Sequence, residues 1–184
     1  MTTTDRPRCP WATSAPDYVA YHDDEWGTPL HGDVALFERL SLEGFQSGLS
    51  WLTILRKRPA FRAAFAGFAI DTVAAFDGDD EVRLLADVGI VRNRAKVAAC
   101  IRNARAAQGL PEGLSALLWS FAPTAGRPRP ATVADVPATS PESVAMAREL
   151  KRRGFAFVGP TTAYALMQAP GMVDDHVADC FRAA

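Results

Sequence analysis

The chain has 184 residues, 48% of them hydrophobic, and a formal net charge of −1, which suits one well-buried core or two lobes sharing an interface. That near-neutral balance excludes a protein that grips nucleic acid by bulk charge, because non-specific affinity scales with the phosphates neutralised. The N-terminus lacks an apolar h-region and no apolar run is long enough to span a bilayer, so neither a signal peptide nor a membrane partner is expected, and the protein reads as cytoplasmic.

In chain order, the first segment crowds Trp11, Tyr18, Tyr21 and Trp26 around Cys9 and His22. Apolar residues then recur at three- and four-residue steps, the signature of helices: Val34, Leu36, Phe37 and Leu40; Leu52, Ile54 and Leu55; Phe61 and Phe65; Val82, Leu84, Leu85 and Val88; Val97 and Ile101. Asp33, Ser50, Asp71 and Asp79 read as N-caps, Ser140 before Pro141 as a cap with proline at the first helical position, and Gly154 as a helix stop. Residues 122–139 carry Pro123, Gly126, Pro128, Pro130 and Pro137 without helical period, and predict an irregular connection between lobes or a functional loop. Nothing alternates at period two, so the predicted fold is all-α.

Three constellations carry chemistry. His176 and Cys180 are four residues apart, a spacing that puts both on one face of a helix. With Cys9 and His22 they complete the tetrahedral Cys2His2 shell that structural zinc prefers, clipping the two ends of the chain together. Three cysteines are too few and too odd in number for a disulfide framework, and Cys100, in an apolar stretch, reads as a buried core thiol. Four protein ligands leave no open position for a catalytic zinc, and the spare His31, in a turn with proline and glycine, reads as a solvated loop residue.

The second constellation is Glu43, an ionised carboxylate inside an otherwise apolar helix, where charge is costly unless paired or functional. Gly48, Leu49 and Ser50 interrupt that helix just before Trp51. Aromatic faces with one carboxylate suit a flat, electron-poor or cationic heterocycle. The third is the turn Asp87 to Val91 between two helical segments, where Gly89 allows close approach and is followed by Arg92, Arg94 and Lys96. Free N–H groups at the following helix start would suit a DNA phosphate, the logic of a helix-hairpin-helix. The other basic runs, Arg56 to Arg58 and Lys151 to Arg153, read as solvated helix faces.

The motifs Arg8-Cys9-x-Trp11, Tyr18-x-x-Tyr21-His22-Asp23-x-Glu25-Trp26-Gly27, Leu42-Glu43-Gly44-x-Gln46-x-Gly48-Leu49-Ser50-Trp51, Arg152-Arg153-Gly154-Phe155-x-Phe157-Val158-Gly159 and Asp175-His176-Val-x-x-Cys180 closely resemble the bacterial DNA-3-methyladenine glycosylase I family, in the same order over nearly the whole chain. The resemblance implies a monomeric, all-helical, helix-hairpin-helix DNA glycosylase with one structural zinc on Cys9, His22, His176 and Cys180. It implies one glycosylase unit of two lobes, a zinc-binding lobe of residues 1–32 plus 140–184 and a hairpin lobe of residues 33–121. Its substrate would be double-stranded alkylated DNA and its products free 3-methyladenine and an abasic site. The base pocket carries over to Glu43, Tyr18, Tyr21 and Trp51, with Trp11 and Trp26 as walls, and the element filling the gap left by the extruded nucleotide to Gly48 and Leu49. Phe45 before Gln46 departs from the usual motif.

The chemistry agrees with that implication. Methylation at N3 makes the base of the nucleotide cationic, so it leaves neutral and needs little protonation. Fittingly, no acid follows Asp87 until Glu112, whereas many helix-hairpin-helix glycosylases have an assisting aspartate there. A non-catalytic, zinc-stabilised module binding alkylated DNA would share all three constellations and differ only in releasing no base.

Overall fold

The computed structural model describes residues 6–183; residues 1–5, expected from the sequence to belong to the zinc-binding lobe, and Ala184 lie outside the described part. Its regular elements are all helical: α1 (Pro16–Asp24), α2 (Asp33–Gln46), α3 (Trp51–Ala64), α4 (Ile70–Ala74), α5 (Gly78–Ala86), α6 (Arg94–Gln108), α7 (Leu114–Trp119), α8 (Pro141–Arg152) and α9 (Pro160–Gln168). None of the described helices is long and apolar enough to cross a membrane.

The central element is α2. It buries Leu36, Phe37, Leu40, Leu42 and Phe45 and packs against α3, α6, α7 and α9, so it is enclosed on nearly every side. A five-phenylalanine cluster of Phe37, Phe45, Phe61, Phe65 and Phe68 fills the space between α2 and the end of α3, each ring large enough to dominate the local burial energy.

Caps form with partners the local pattern did not name. Ser50 accepts from the Thr53 N–H at 3.2 Å and Ser140 from that of Ser143 at 3.2 Å, as expected. Asp33, in contrast, begins α2 but accepts from the Ser115 N–H at 2.8 Å, capping α7 across the interface. Asp77 rather than Asp79 caps α5, accepting from the N–H groups of Asp79 at 2.9 Å and Asp80 at 3.3 Å. Asp71 lies inside α4 and accepts from Gln108 at 3.0 Å. His31 is exposed, but it stacks on Trp119 with ring centroids 4.4 Å apart.

The expected helix carrying His176 and Cys180 is absent: after α9 the described chain runs on as turns. Asp174 Oδ1 accepts from the His176 backbone N–H at 3.1 Å and bonds its Nδ1 at 2.8 Å, the side-chain competition that turns an Asp-rich segment away from helix. Gly171, at φ 71°, starts that path, and a Cβ there would meet the Gly27 carbonyl oxygen at 2.7 Å. Backbone cannot yield as a flexible side chain can. Gly171→Ala is therefore expected to destabilise the protein by about 2 kcal/mol or more, read as a lowered midpoint in denaturant unfolding.

Candidate active site

Glu43 and Gln46, one turn apart on α2, face a cavity of about 290 Å³. Tyr18 and Tyr21 enter it from α1, and Trp51 from the first position of α3. Trp11 and Trp26 complete the aromatic wall. Trp11 meets Tyr18 edge-on at 5.6 Å and Trp26 at 5.1 Å, and Tyr21 lies 5.5 Å from Trp51, pairs that contribute about 0.5–1.5 kcal/mol each beyond their burial. The Tyr18 hydroxyl accepts from the Leu52 N–H at 2.9 Å, fixing α1 against the start of α3. The Trp51 indole N–H is buried with no partner among the described residues, a donor left for a ligand.

The carboxyl of Glu43 is the electrostatic centre. It is 6% exposed, and among the described residues no group donates a hydrogen bond to it. Arg39, one turn earlier, does not pair with it: Arg39 donates to Glu25 at 2.6 Å, where Arg58 also binds both carboxylate oxygens at 2.6 and 2.7 Å. Burial works against the charge on Glu25, but the two arginines hold it down to about 2. Burial without a partner pushes Glu43 up to about 8, offset only in part by the charge of Arg39. Burial thus favours the protonated carboxyl, in contrast to the charged group expected from the sequence; a cationic ligand would supply a counter-charge and favour the carboxylate.

A second cluster abuts the cavity. Ligand atoms of Cys9, His22 and Cys180 all lie within 4.8 Å of one another, with His22 Nε2 at 3.3 Å from Cys180 Sγ. His176 flanks this trio, its ring centroid 5.2 Å from that of His22, and its Nε2 is buried with no hydrogen-bond partner. The Nδ1 atoms of His22 and His176 bond Asp23 at 2.9 Å and Asp174 at 2.8 Å, the outer-shell arrangement that presents Nε2 to a metal. Burial, then the neighbouring Cys180, pushes the Cys9 thiol up to about 12, a burden a divalent cation would lift. Two thiols and one imidazole gathered in this way, with a second imidazole beside them, are donors of the kind a tetrahedral ion takes. Trp11 and Trp26 pack on this cluster and on the cavity alike.

With this geometry in view the relatives are informative. The family model for methyladenine glycosylase matches residues 11–183. The chain belongs to the methyladenine glycosylase family. DNA-3-methyladenine glycosylase 1 of Escherichia coli (strain K12) is 44% identical over 177 residues, 94% of this chain and 95% of that protein. DNA-3-methyladenine glycosylase of Haemophilus influenzae is 41% identical, covering 94% and 96%. Among solved structures, 3-methyladenine DNA glycosylase I from Staphylococcus aureus, studied for its recognition of 3-methyladenine, superposes with a TM-score of 0.90 at 33% identity, covering 96% of each chain.

Every aromatic residue named for the pocket in this glycosylase lines the cavity with Glu43. The DNA-facing set divides. Arg92 and Arg94 are exposed at the turn before α6, and Gly48, at φ 80°, presents Leu49 with 41% of its surface exposed. Lys96 instead turns inward, donating to the carbonyls of Phe45 at 2.8 Å and Ser47 at 2.6 Å; an ammonium at the C-terminal end of α2 complements that helix's dipole. Gly89 is constrained by packing, since a Cβ would meet that of Ala60 at 2.9 Å, and its N–H is taken by Asp87 at 2.7 Å.

Sequence reasoning missed Gln46, Gln168, Asp175, Val133 and Val136, all in the cavity wall. Gln46 was findable, three residues from Glu43 on one helix. The valines were not, because residues 122–139 have no period. That segment is strapped over the cavity by Arg127 to Asp175 at 2.6 Å and Arg129 to Asp174 at 2.8 Å.

The unpaired carboxyl has a measurable signature. Its folded value of about 8 lies above the ordinary 4.5, so the folded state holds an extra proton between those values and loses stability as pH rises through about 8. Glu43→Gln is expected to be more stable than the parent near pH 9 by on the order of a few kcal/mol and to show little of this advantage near pH 5, in urea unfolding run at both pH values.

Proposed function

We infer that the protein is a DNA-3-methyladenine glycosylase, hydrolysing the N-glycosidic bond of 3-methyladenine in alkylated double-stranded DNA to leave an abasic site. The observation that carries this reading is Glu43, buried among aromatic rings with no counter-ion of its own. Membership of the methyladenine glycosylase family and likeness to proteins bearing that name support it.

The steps follow from the wall. Extruding a nucleotide costs a few kcal/mol of stacking and pairing, and stacking on Tyr21, Trp51 and their neighbours offsets it at about 1–3 kcal/mol per base. A base already cationic from N3 methylation enters a cavity whose acid lacks only a positive partner, so Glu43 gives up its proton to solvent as the base arrives. The resulting carboxylate accepts from the exposed amino edge of the purine and stabilises the oxocarbenium-like sugar as the C1′–N9 bond breaks and the neutral base departs with the bonding electrons; water then adds to C1′ and loses a proton to solvent, leaving the abasic site. An unmethylated purine brings no charge and meets a carboxyl whose ionisation remains costly.

On this reading the α5–turn–α6 unit is a helix-hairpin-helix, with Arg92 and Arg94 meeting backbone phosphates and Gly48 and Leu49 filling the gap in the duplex. One zinc ion is held by Cys9, His22, His176 and Cys180; when bound it acts structurally, tying the aromatic segment to the C-terminal one. The two lobes, residues 1–32 with 140–184 and residues 33–121, form one monomeric glycosylase unit working in the cytoplasm, where the three cysteines, free in the fold, suit metal ligation.

Chromatography of bases released from methylated duplex tests the activity. The protein is expected to release 3-methyladenine, with kcat/KM rising toward pH 8 as Glu43 ionises, and Glu43→Gln to lose on the order of 10²-fold while free of the rise; a folded parent releasing no base would instead be a DNA-binding module. Metal analysis of protein purified without chelator is expected to give one zinc per chain, and Cys180→Ser to lose it with a drop of several degrees in Tm.

A further inference from the structure

The loop between α8 and α9 carries the Arg152-to-Gly159 motif, and nothing in the cavity or the metal cluster uses it. Phe157 in this loop has φ 57°, the left-handed region that a bulky side chain adopts only under constraint. It is 44% exposed. A strained, half-exposed aromatic is costly twice, in backbone conformation and in wetted apolar surface.

The constraint comes from α6. Asn103, buried at 4% exposure, grips the residue before Phe157 with two bonds, accepting from the Ala156 N–H at 2.8 Å and donating to its carbonyl at 3.0 Å. Arg102 donates to the Gly154 carbonyl at 2.7 Å. From below, the Phe157 Cβ and carbonyl lie close to Gly44, at 3.7 and 3.8 Å from where a Cβ would stand, so the loop rests on the helix that bears Glu43.

Asn103 is seven residues after Lys96, on the same face of α6, and both are buried anchors. Lys96 holds the carbonyls of Phe45 and Ser47, just before exposed Leu49; Asn103 holds Ala156, just before exposed Phe157. One helix face thus fixes two exposed apolar tips whose anchors are roughly 10 Å apart along the axis, about three base-pair steps of a duplex. The residues leading into the Phe157 loop, Arg148 to Arg153, carry four cations and one acid; Glu149 pairs with Arg152 and Arg153, and Glu112 with Arg153, which leaves an excess of positive charge with Lys151, Arg152 and Arg102 exposed.

We propose that Phe157 is a second apolar contact with duplex DNA, packing against sugar and base edges beside the nucleotide gap that Leu49 fills. This rests on the reading that the Leu49 and Arg92 face meets the duplex. The basic surroundings select a polyanion as the occupant, and the shared α6 anchors hold Phe157 in fixed register with Leu49.

The test uses Phe157→Asn, because asparagine tolerates positive φ, and Phe157→Tyr, which keeps the ring. Titration of a fluorescent duplex bearing an abasic-site analogue is expected to show affinity lowered about tenfold for Phe157→Asn, the order of one lost aromatic contact, and retained for Phe157→Tyr. Binding of free 3-methyladenine, followed by tryptophan fluorescence, is expected to stay at the parental value, and the Tm of Phe157→Asn to match or exceed the parent's, since asparagine relieves the backbone strain. Parental duplex affinity in Phe157→Asn overturns the proposal, as does an equal loss for the free base, which would mean a distorted pocket. Leu49→Ala separates the two readings: if it alone weakens duplex binding, the face stands and the role of Phe157 falls; if neither variant does, the face itself is wrong.

Discussion

Glu43 keeps its carboxyl unpaired because the nearest cation on its own helix is engaged elsewhere. Arg39 and Arg58 converge on Glu25, and that triad, with ideal short bonds and partial burial, is strong enough to resist competition from an acid one turn away. Had Arg39 turned toward Glu43, the cavity would hold a satisfied ion pair and offer nothing to a cation. The Glu25-Trp26-Gly27 motif therefore serves two ends: Trp26 walls the cavity, and Glu25 takes the hydrogen bond that Arg39 would otherwise offer Glu43.

An unpaired acid destabilises the fold that contains it, and the surroundings show how the cost is offset. The phenylalanine cluster behind α2 and the enclosure of that helix by its neighbours bury large apolar area, while the cluster around Cys9 and Cys180 braces Trp11 and Trp26 from the far side. Cavity and cluster share those rings, so loosening one loosens the other. The strap of residues 122–139, held by Arg127 and Arg129 on adjacent aspartates, closes the remaining side with aliphatic rather than aromatic surface.

α6 organises the opposite face in the same way. Its buried side presents Lys96, Cys100 and Asn103 in one stripe, each bonded to a different piece of backbone or side chain, with Cys100 reaching Ser41 at 3.4 Å. The turn before it is braced by Lys57, donating to the carbonyls of Val88 at 3.1 Å and Gly89 at 3.0 Å. A helix that holds so many loops by their backbones sets their relative positions rigidly.

How much was legible beforehand divides along physical lines. Helical period, the caps at Ser50 and Ser140, the aromatic crowd around His22 and the lone acid in an apolar helix are local patterns, and local patterns survive being read one residue at a time. The sequence by itself determined the all-helical class and the pocket's chemical character, and it singled out Cys9, His22 and Cys180, which the fold gathers. Only the tertiary structure decided which charges meet: that Asp33 caps a distant helix, that Lys96 turns inward, that His176 and Cys180 both reach His22 through turns instead of a helix, and that Glu43 is left without a hydrogen-bonded cation. Each of those depends on which partner arrives first in space, and pairing between residues far apart in the chain leaves no period to read.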